Sequence, residues 1–540
     1  MIIRRKPPRE LKLNEPIRHQ SAHKRPVTRR DFLAQGFIGG SATIIAPPML
    51  AAALTAPRAN AQTAGPLAAD IQALVATCGI TNGAGKIPFI CFDLTGGGNL
   101  VGSEALGGGP GGQTDFLSAA GYGLQGLPPT MLPTNPTFLD RSLGLAWHSD
   151  GAILRAIKTR ASAASMANIN GAVIAASSQN DTNTNPHNPM YGIAMAGANG
   201  QLLRLIGTNA SMSGGNSMAP ADEMVPAWTP SVIQQGSDSA GLVNTGLLTQ
   251  LMSPPDAVSV LESMERISAF KLASVSTQLS NDAAVKQTAQ CNYVKAAYLA
   301  DQFPNSSVLD PDLDPVVVDQ SATRGSGIFG QAEYQQDNNF QATAAVMKLV
   351  VNGFAGAGTI QIGGYDYHGQ GRSTGETRNF EAGVCIGAVL EYAHRVNKPV
   401  MIYVFTDGGI NANSTIDTSA AGRDKFMWQG DNSTVTSTFF LLYNPAGRTP
   451  ALALPTGTNQ IGYWNPDGNI NINSSPAGNA VNLLVQTVLL NYFALHGQSG
   501  SFASTLGSYG VTVGLAPSLF SSLIAFPAIC NGTIAGGTFT

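Results

Sequence analysis

Short, almost uninterrupted apolar runs alternate along the chain with longer stretches whose apolar residues recur at helical spacing. Residues 86–93 (KIPFICFD), 169–176 (INGAVIAA), 359–363 (TIQIG), 399–406 (PVMIYVFT) and 436–443 (TSTFFLLY) read as strands. A run that is apolar at both parities is buried on both faces, as in parallel sheets. Helical patterns cover 150–161, 340–351, 380–396 and 481–495. In 380–396, Ala382, Ile386, Val389, Ala393 and Val396 share one face, while Glu391 and Arg395 stand four apart on another. Strand–helix–strand order predicts an α/β fold, with a mostly parallel central sheet and helices on both faces. Residues 197–335 break the rhythm with polar loops, helices near 256–275 and 282–301, and an Asp-Pro-Asp-Leu-Asp-Pro run at 310–315. They read as an irregular, partly helical insertion. The Asp310, Asp312, Asp314 alternation lacks the Gly and Glu that a calcium loop needs, so it reads as a Pro-rich turn.

Composition narrows the class. Charged residues make up 12% of the 540, about half the usual share of roughly 25%. That excludes a solvated disordered polymer and a coiled coil. No apolar run reaches about 18 residues, so no stable membrane span is expected. The charge is uneven. The first 61 residues hold 11 bases and 3 acids, leaving 19 bases and 30 acids from Gln62 onward, a net −11. An acidic body does not suit nucleic acid.

The basic head carries Thr-Arg-Arg-Asp-Phe-Leu at 28–33, a Gly/Ala-rich stretch over 37–54, and Ala59-Asn60-Ala61. Residues 1–61 therefore look like a twin-arginine signal ending in an A-x-A cleavage site. The expected partner is the twin-arginine translocation machinery of a bacterium, and the destination is periplasmic or extracellular. Residues 62–540 are then a single large α/β domain with its insertion. Of five cysteines, none form a C-x-x-C pair. Cys91 and Cys385 lie in apolar elements and should be buried thiols. Cys78, Cys291 and Cys530 leave room for one disulfide of open pairing.

Ligands of open α/β sheets bind beyond the carboxyl ends of the strands. Asp93 ends the first predicted strand (FDLTGGGN), Asp366 and His368 follow the third (GGYDYHGQ), and Asp407 follows the fourth (VFTDGG). If the third strand runs through residue 368, Asp366 and His368 share one face and Tyr365 and Tyr367 the other. His187, in a polar loop after the second strand, could join them. Oxygen and imidazole donors without thiolate suit a divalent metal such as Zn, Mn, Mg, Fe or Ca. His148, His394 and His496 read as structural.

Together, the twin-arginine segment, FDLTGGGN, IGGYDYHGQ and VFTDGG resemble a family of exported bacterial proteins related to the alkaline phosphatase/sulfatase superfamily. The similarity spans roughly residues 86–500 and is most specific over 340–409. The resemblance implies an alkaline-phosphatase-like fold, with Asp93, Asp366, His368 and Asp407 as metal ligands and Thr184 nearest the nucleophile position. The chain departs from that pattern at three points. Pro186-His187 stands for a Ser-His step, Gly-Gly-Ile follows Asp407, and Asp424-Lys425 replaces an Asp-His pair. Lys425 would then supply an ammonium where a second cation is lost.

Two functions from different classes follow. One is a metal-dependent hydrolase of phosphate or sulfate esters. The other is a non-catalytic exported binding or assembly protein of the cell envelope or secretion machinery. An adhesion-type metal site is a poor third, because Gly97 replaces the last hydroxyl of its D-x-S-x-S pattern.

Overall fold

The computed structural model describes residues 67–539, apart from 79, 81–84, 179–185, 209–218, 244–250, 277–279, 304, 322–323, 366, 370, 436–437 and 536–537. Residues 1–61, which the sequence reads as a signal, and Thr184 and Asp366 lie outside the described residues. The chain from Pro66 onward is one compact unit.

Nine strands form the central sheet: β1 (Phe89–Gly98), β2 (Ile169–Ile174), β3 (Leu203–Gly207), β4 (Ser231–Val232), β5 (Ala355–Ile362), β6 (Val400–Ile416), β7 (Phe426–Asp431), β8 (Thr438–Tyr443) and β9 (Gln460–Ile461). Their order is β9-β2-β8-β6-β1-β5-β3-β4, with β7 paired to β6. Seven helices matter here: α1 (Ala69–Thr77), α2 (Ala152–Arg160), α3 (Pro254–Ala273), α4 (Asp282–Gln302), α5 (Asn338–Val351), α6 (Arg372–Arg395) and α7 (Val481–Leu495). The fold is mixed α/β with a mostly parallel sheet.

Alternation along β1 divides the core. Ile90, Phe92 and Leu94 face a cluster filled by α2, α5 and α6. Phe89 and Cys91 face a second cluster, filled by α7 and the short helix Met190–Met195. Helices thus cover both faces, which is why the strand sequences are apolar at both parities. Glu391 and Arg395 pair at 2.9 Å, as their spacing predicts.

Strand β8 departs from the parallel reading. It runs antiparallel to both β6 and β2. Strand β7 has already reversed the chain against β6, and only residues 432–437 connect it to β8. A parallel return needs a crossover of a dozen residues or more.

Two strands also outrun their predicted ends. Gly97 pairs with Gly408 and Gly98 with Gly409, so β1 and β6 continue through the glycines that follow their predicted ends. Asp407 therefore sits within β6, not after it, and Asp93, expected as the last residue of its strand, lies inside β1.

Part of the region read as an insertion belongs to the sheet, since β3 and β4 form its edge. The rest includes the hairpin α3–α4, which packs with α1 around Ile71, Val75, Leu261 and Val294. A disulfide closes this cluster, and its pair is Cys78–Cys291. Cys91, Cys385 and Cys530 are buried thiols. Asp310 caps a single helical turn by accepting from Asp312 N–H at 3.0 Å, as the Pro-rich turn predicts.

Candidate functional site

The parallel register places Asp93 of β1 between Gln361 of β5 and Phe405 of β6. Asp407 lies two residues beyond Phe405, one pleat further along the same face. Both aspartates are wholly buried. A bulge between Leu94 and Gly97 shapes the ground between them. At its centre Gly96 has φ +108, a conformation that favours glycine, and its N–H donates to Asp407 Oδ2 at 3.1 Å. The Thr406 hydroxyl donates to Gly96 O at 2.6 Å and locks the bulge. From the end of β2, the Ser178 hydroxyl donates to Asp407 O.

Asp93 has no comparable support. Neither carboxylate oxygen has a hydrogen-bond partner among the described residues. Burial and the neighbouring Asp407 carboxylate push its carboxyl well above the usual range.

His187 reaches the same face. Its ring stacks on Phe405, with centroids 5.1 Å apart and planes 23° from parallel. Both ring nitrogens are buried without a hydrogen-bond partner among the described residues. Burial lowers its pKa to about 3, so the ring is a neutral potential donor.

The structure gives His368 a partner outside this group. β5 ends at Ile362, and the chain turns at Gly364 (φ +82) before the aromatic pair Tyr365 and Tyr367 packs inward. His368 lies in the following turn, about one-third exposed, with Nδ1 3.0 Å from Asp431 Oδ1 on β7. The alternation expected to align Asp366 with His368 needed a strand that has already ended.

Lys425 is corrected too. It is fully buried, with Nζ 2.8 Å from Glu376 Oε1 and 3.2 Å from Asp150 Oδ2. Two carboxylates already answer its charge, so it stands in for no lost cation. It belongs to a network that sequence reasoning missed. Arg372 donates to Glu376 at 2.9 Å and stacks on Trp428 at 4.3 Å. Asn379 donates to Glu104 at 3.0 Å. Arg423 closes on Asp150 from the β6–β7 turn. Burial raises the Glu104 carboxyl, reinforced by Glu376. Burial also pushes Glu376 up, but Arg372 and Lys425 together hold it below its ordinary value. The one sequence signal was Arg372 and Glu376 four apart in a helix.

The three other histidines among the described residues are structural, as expected. His148 Nε2 lies 2.9 Å from Met131 O, His394 Nδ1 2.9 Å from Tyr443 Oη, and His496 Nδ1 2.8 Å from Tyr492 O.

Among the described residues, no group of three His, Cys, Asp or Glu side chains converges closely enough to hold a metal. What they supply is a pair of buried carboxylates with an imidazole on the same face. The orphaned oxygens of Asp93 fit a hard divalent cation. No family model, curated protein or solved structure matches this chain.

Proposed function

We propose that this chain is an exported protein of alkaline-phosphatase/sulfatase type, with a divalent-cation centre at Asp93 and Asp407 that serves phosphate- or sulfate-ester hydrolysis. One observation carries the reading. Asp93 is a wholly buried carboxyl, unpartnered at both oxygens among the described residues and within the electrostatic reach of a second carboxylate, Asp407. Such a group is costly unless a proton or a cation offsets it. A divalent cation, when bound, would polarise an ester oxygen and lower the pKa of the attacking group. Asp93 and Asp407 would hold it, with Asp366 completing the donor set. Gly96 N–H fixes one Asp407 oxygen, and His187, neutral and desolvated, holds water away. Thr184 remains the expected nucleophile. The Cys78–Cys291 disulfide supports an oxidising compartment, and hence export, independently of the Arg29-Arg30 motif.

Enclosure of the centre favours a second reading. Asp93 and Asp407 are fully shielded from solvent, which suits a cation retained for structure in a non-catalytic binding or assembly protein of the envelope. Metal analysis of protein purified after export, with phosphomonoester and sulfate-ester assays on the same sample, separates these outcomes. Co-purifying metal with hydrolysis that Asp93→Asn abolishes supports the enzyme. Metal without hydrolysis supports the binding protein. Absence of metal in both wild type and Asp93→Asn would sink the cation centre.

A further inference from the structure

All strands of the sheet point one way except β7 and β8. Its carboxyl edge is therefore a single rim, with the end of the β1–β6 ladder near the middle. Two clefts open on that rim, one on each wing. The first, about 510 Å³, is lined by Gly462 just past β9, by Ser474, Ser475 and Asn479, and by Asn473 and Ser522. Asn479 is tied to the end of β2 through the Ser177 hydroxyl, at 3.4 Å. The second, about 360 Å³, is lined by Thr208 just past β3 and by Gln361 at the end of β5. Gln234, Gln235, Asn338 and Asn339 complete its wall. No charged side chain among the described residues lines either cleft.

We infer that these clefts bind a neutral, polyhydroxylated ligand, a saccharide chain lying along the rim. A carboxamide offers both a donor and an acceptor, and so does each ligand hydroxyl, so the two pair reciprocally. With no charged side chain among the described residues of either wall, those residues offer an ionised ligand no counter-charge. At the rim of the first cleft Ile472 and Leu519 are 41% and 38% exposed, an apolar surface for the C–H face of a sugar ring. From β2 to β5 is four strand spacings, about 19 Å, so one chain of several residues spans both clefts. A peptide fits less well. Strand addition needs a long free edge, and the edge strands β4 and β9 have two residues each.

The inference uses no cation and stands apart from the proposed centre. Its test is calorimetric titration of the full exported protein with neutral hexasaccharides of the glucan, mannan and galactan series. A Ser/Asn-rich uncharged peptide serves as the competing ligand. Saturable binding of at least one neutral series is expected, unchanged by chelator. Gln234→Glu with Asn338→Asp, both exposed positions, should weaken it about tenfold or more at unaltered Tm. Asn473→Asp in the other cleft should weaken longer chains more than short ones. No binding by any series, peptide binding in preference to saccharide, or wild-type affinity in the variants of both clefts would overturn the inference. Binding lost with chelator would assign the ligand to the carboxylate centre instead, and would equally overturn it.

Discussion

Lys425 Nζ lies 2.8 Å from Glu376 Oε1, and both side chains are out of solvent. Lys425 comes from the turn between β6 and β7, Glu376 from the first turns of α6, and Asp150 from just before α2. The pair thus fastens the projecting β6–β7 ribbon to two helices beneath it. Removing one partner of a buried ion pair leaves an uncompensated charge and costs about 3–5 kcal/mol. Lys425→Met should lower stability by that order in denaturant titration, and Lys425→Met with Glu376→Met should recover much of it. A loss below about 1 kcal/mol would mean that water already reaches the pair.

Asp93 should behave in the opposite sense. Its folded pKa is raised above the unfolded 3.8. Its favourable share of stability is therefore complete below that unfolded value and is lost as pH rises through the folded pKa. In chelator near pH 8, Asp93→Asn should melt higher than wild type. Added divalent cation should raise the melting temperature of wild type and leave the variant unmoved. A wild type indifferent to both chelator and cation ends the cation reading.

Two buried histidines set an acid limit. Burial lowers His148 and His496 to about 4 from 6.5. Between those values the unfolded chain binds the extra protons, so stability falls as pH drops from 6.5 toward 4. Each contributes roughly 1.4 kcal/mol per pH unit. His496→Gln should flatten the slope of unfolding free energy against pH over this window. An unchanged slope would show that His496 is already protonated in the folded state.

The disulfide makes a countable prediction. Cys78 and Cys291 are 213 residues apart. Thiol titration of protein unfolded without reductant should find three thiols: Cys91, Cys385 and Cys530. Replacing Cys78 and Cys291 with Ser should cost about 2–5 kcal/mol. Hydrogen exchange should place the earliest loss of protection in α1, α3 and α4. Five titratable thiols would refute the pairing.

Export has its own test. Arg29→Lys with Arg30→Lys should leave precursor in the cytoplasm, and the wild-type mature chain should begin near Gln62. N-terminal sequencing that still reads Arg29 in exported protein would remove the signal reading.

Much of the scaffold was legible because local pattern dictates it. The helix at 481–495 was placed to the residue, since a 15-residue apolar helix is defined by its own periodicity. Elsewhere the ends moved. Glycine allows both a turn and an extended continuation, and only a partner strand chooses between them. At 97–98 and 408–409 each strand supplies the other's partner, so Asp93 and Asp407 both lie inside strands, where the sequence placed Asp93 at a strand's last residue and Asp407 just past one.

The sequence by itself determined five of the nine strands of the central sheet, the main helices, the α/β class, the burial of Cys91 and Cys385, and Asp93 and Asp407 as residues to watch. Those follow from periodicity and from the poor fit of a carboxylate inside an apolar run. The tertiary structure alone decided which residues meet. It stacked His187 on Phe405, paired His368 with Asp431, gave Lys425 to Glu376, and chose Cys291 over Cys530 for Cys78. Each is a contact between residues tens to hundreds apart in the chain. Such contacts are fixed by strand order and packing direction, which no local pattern encodes.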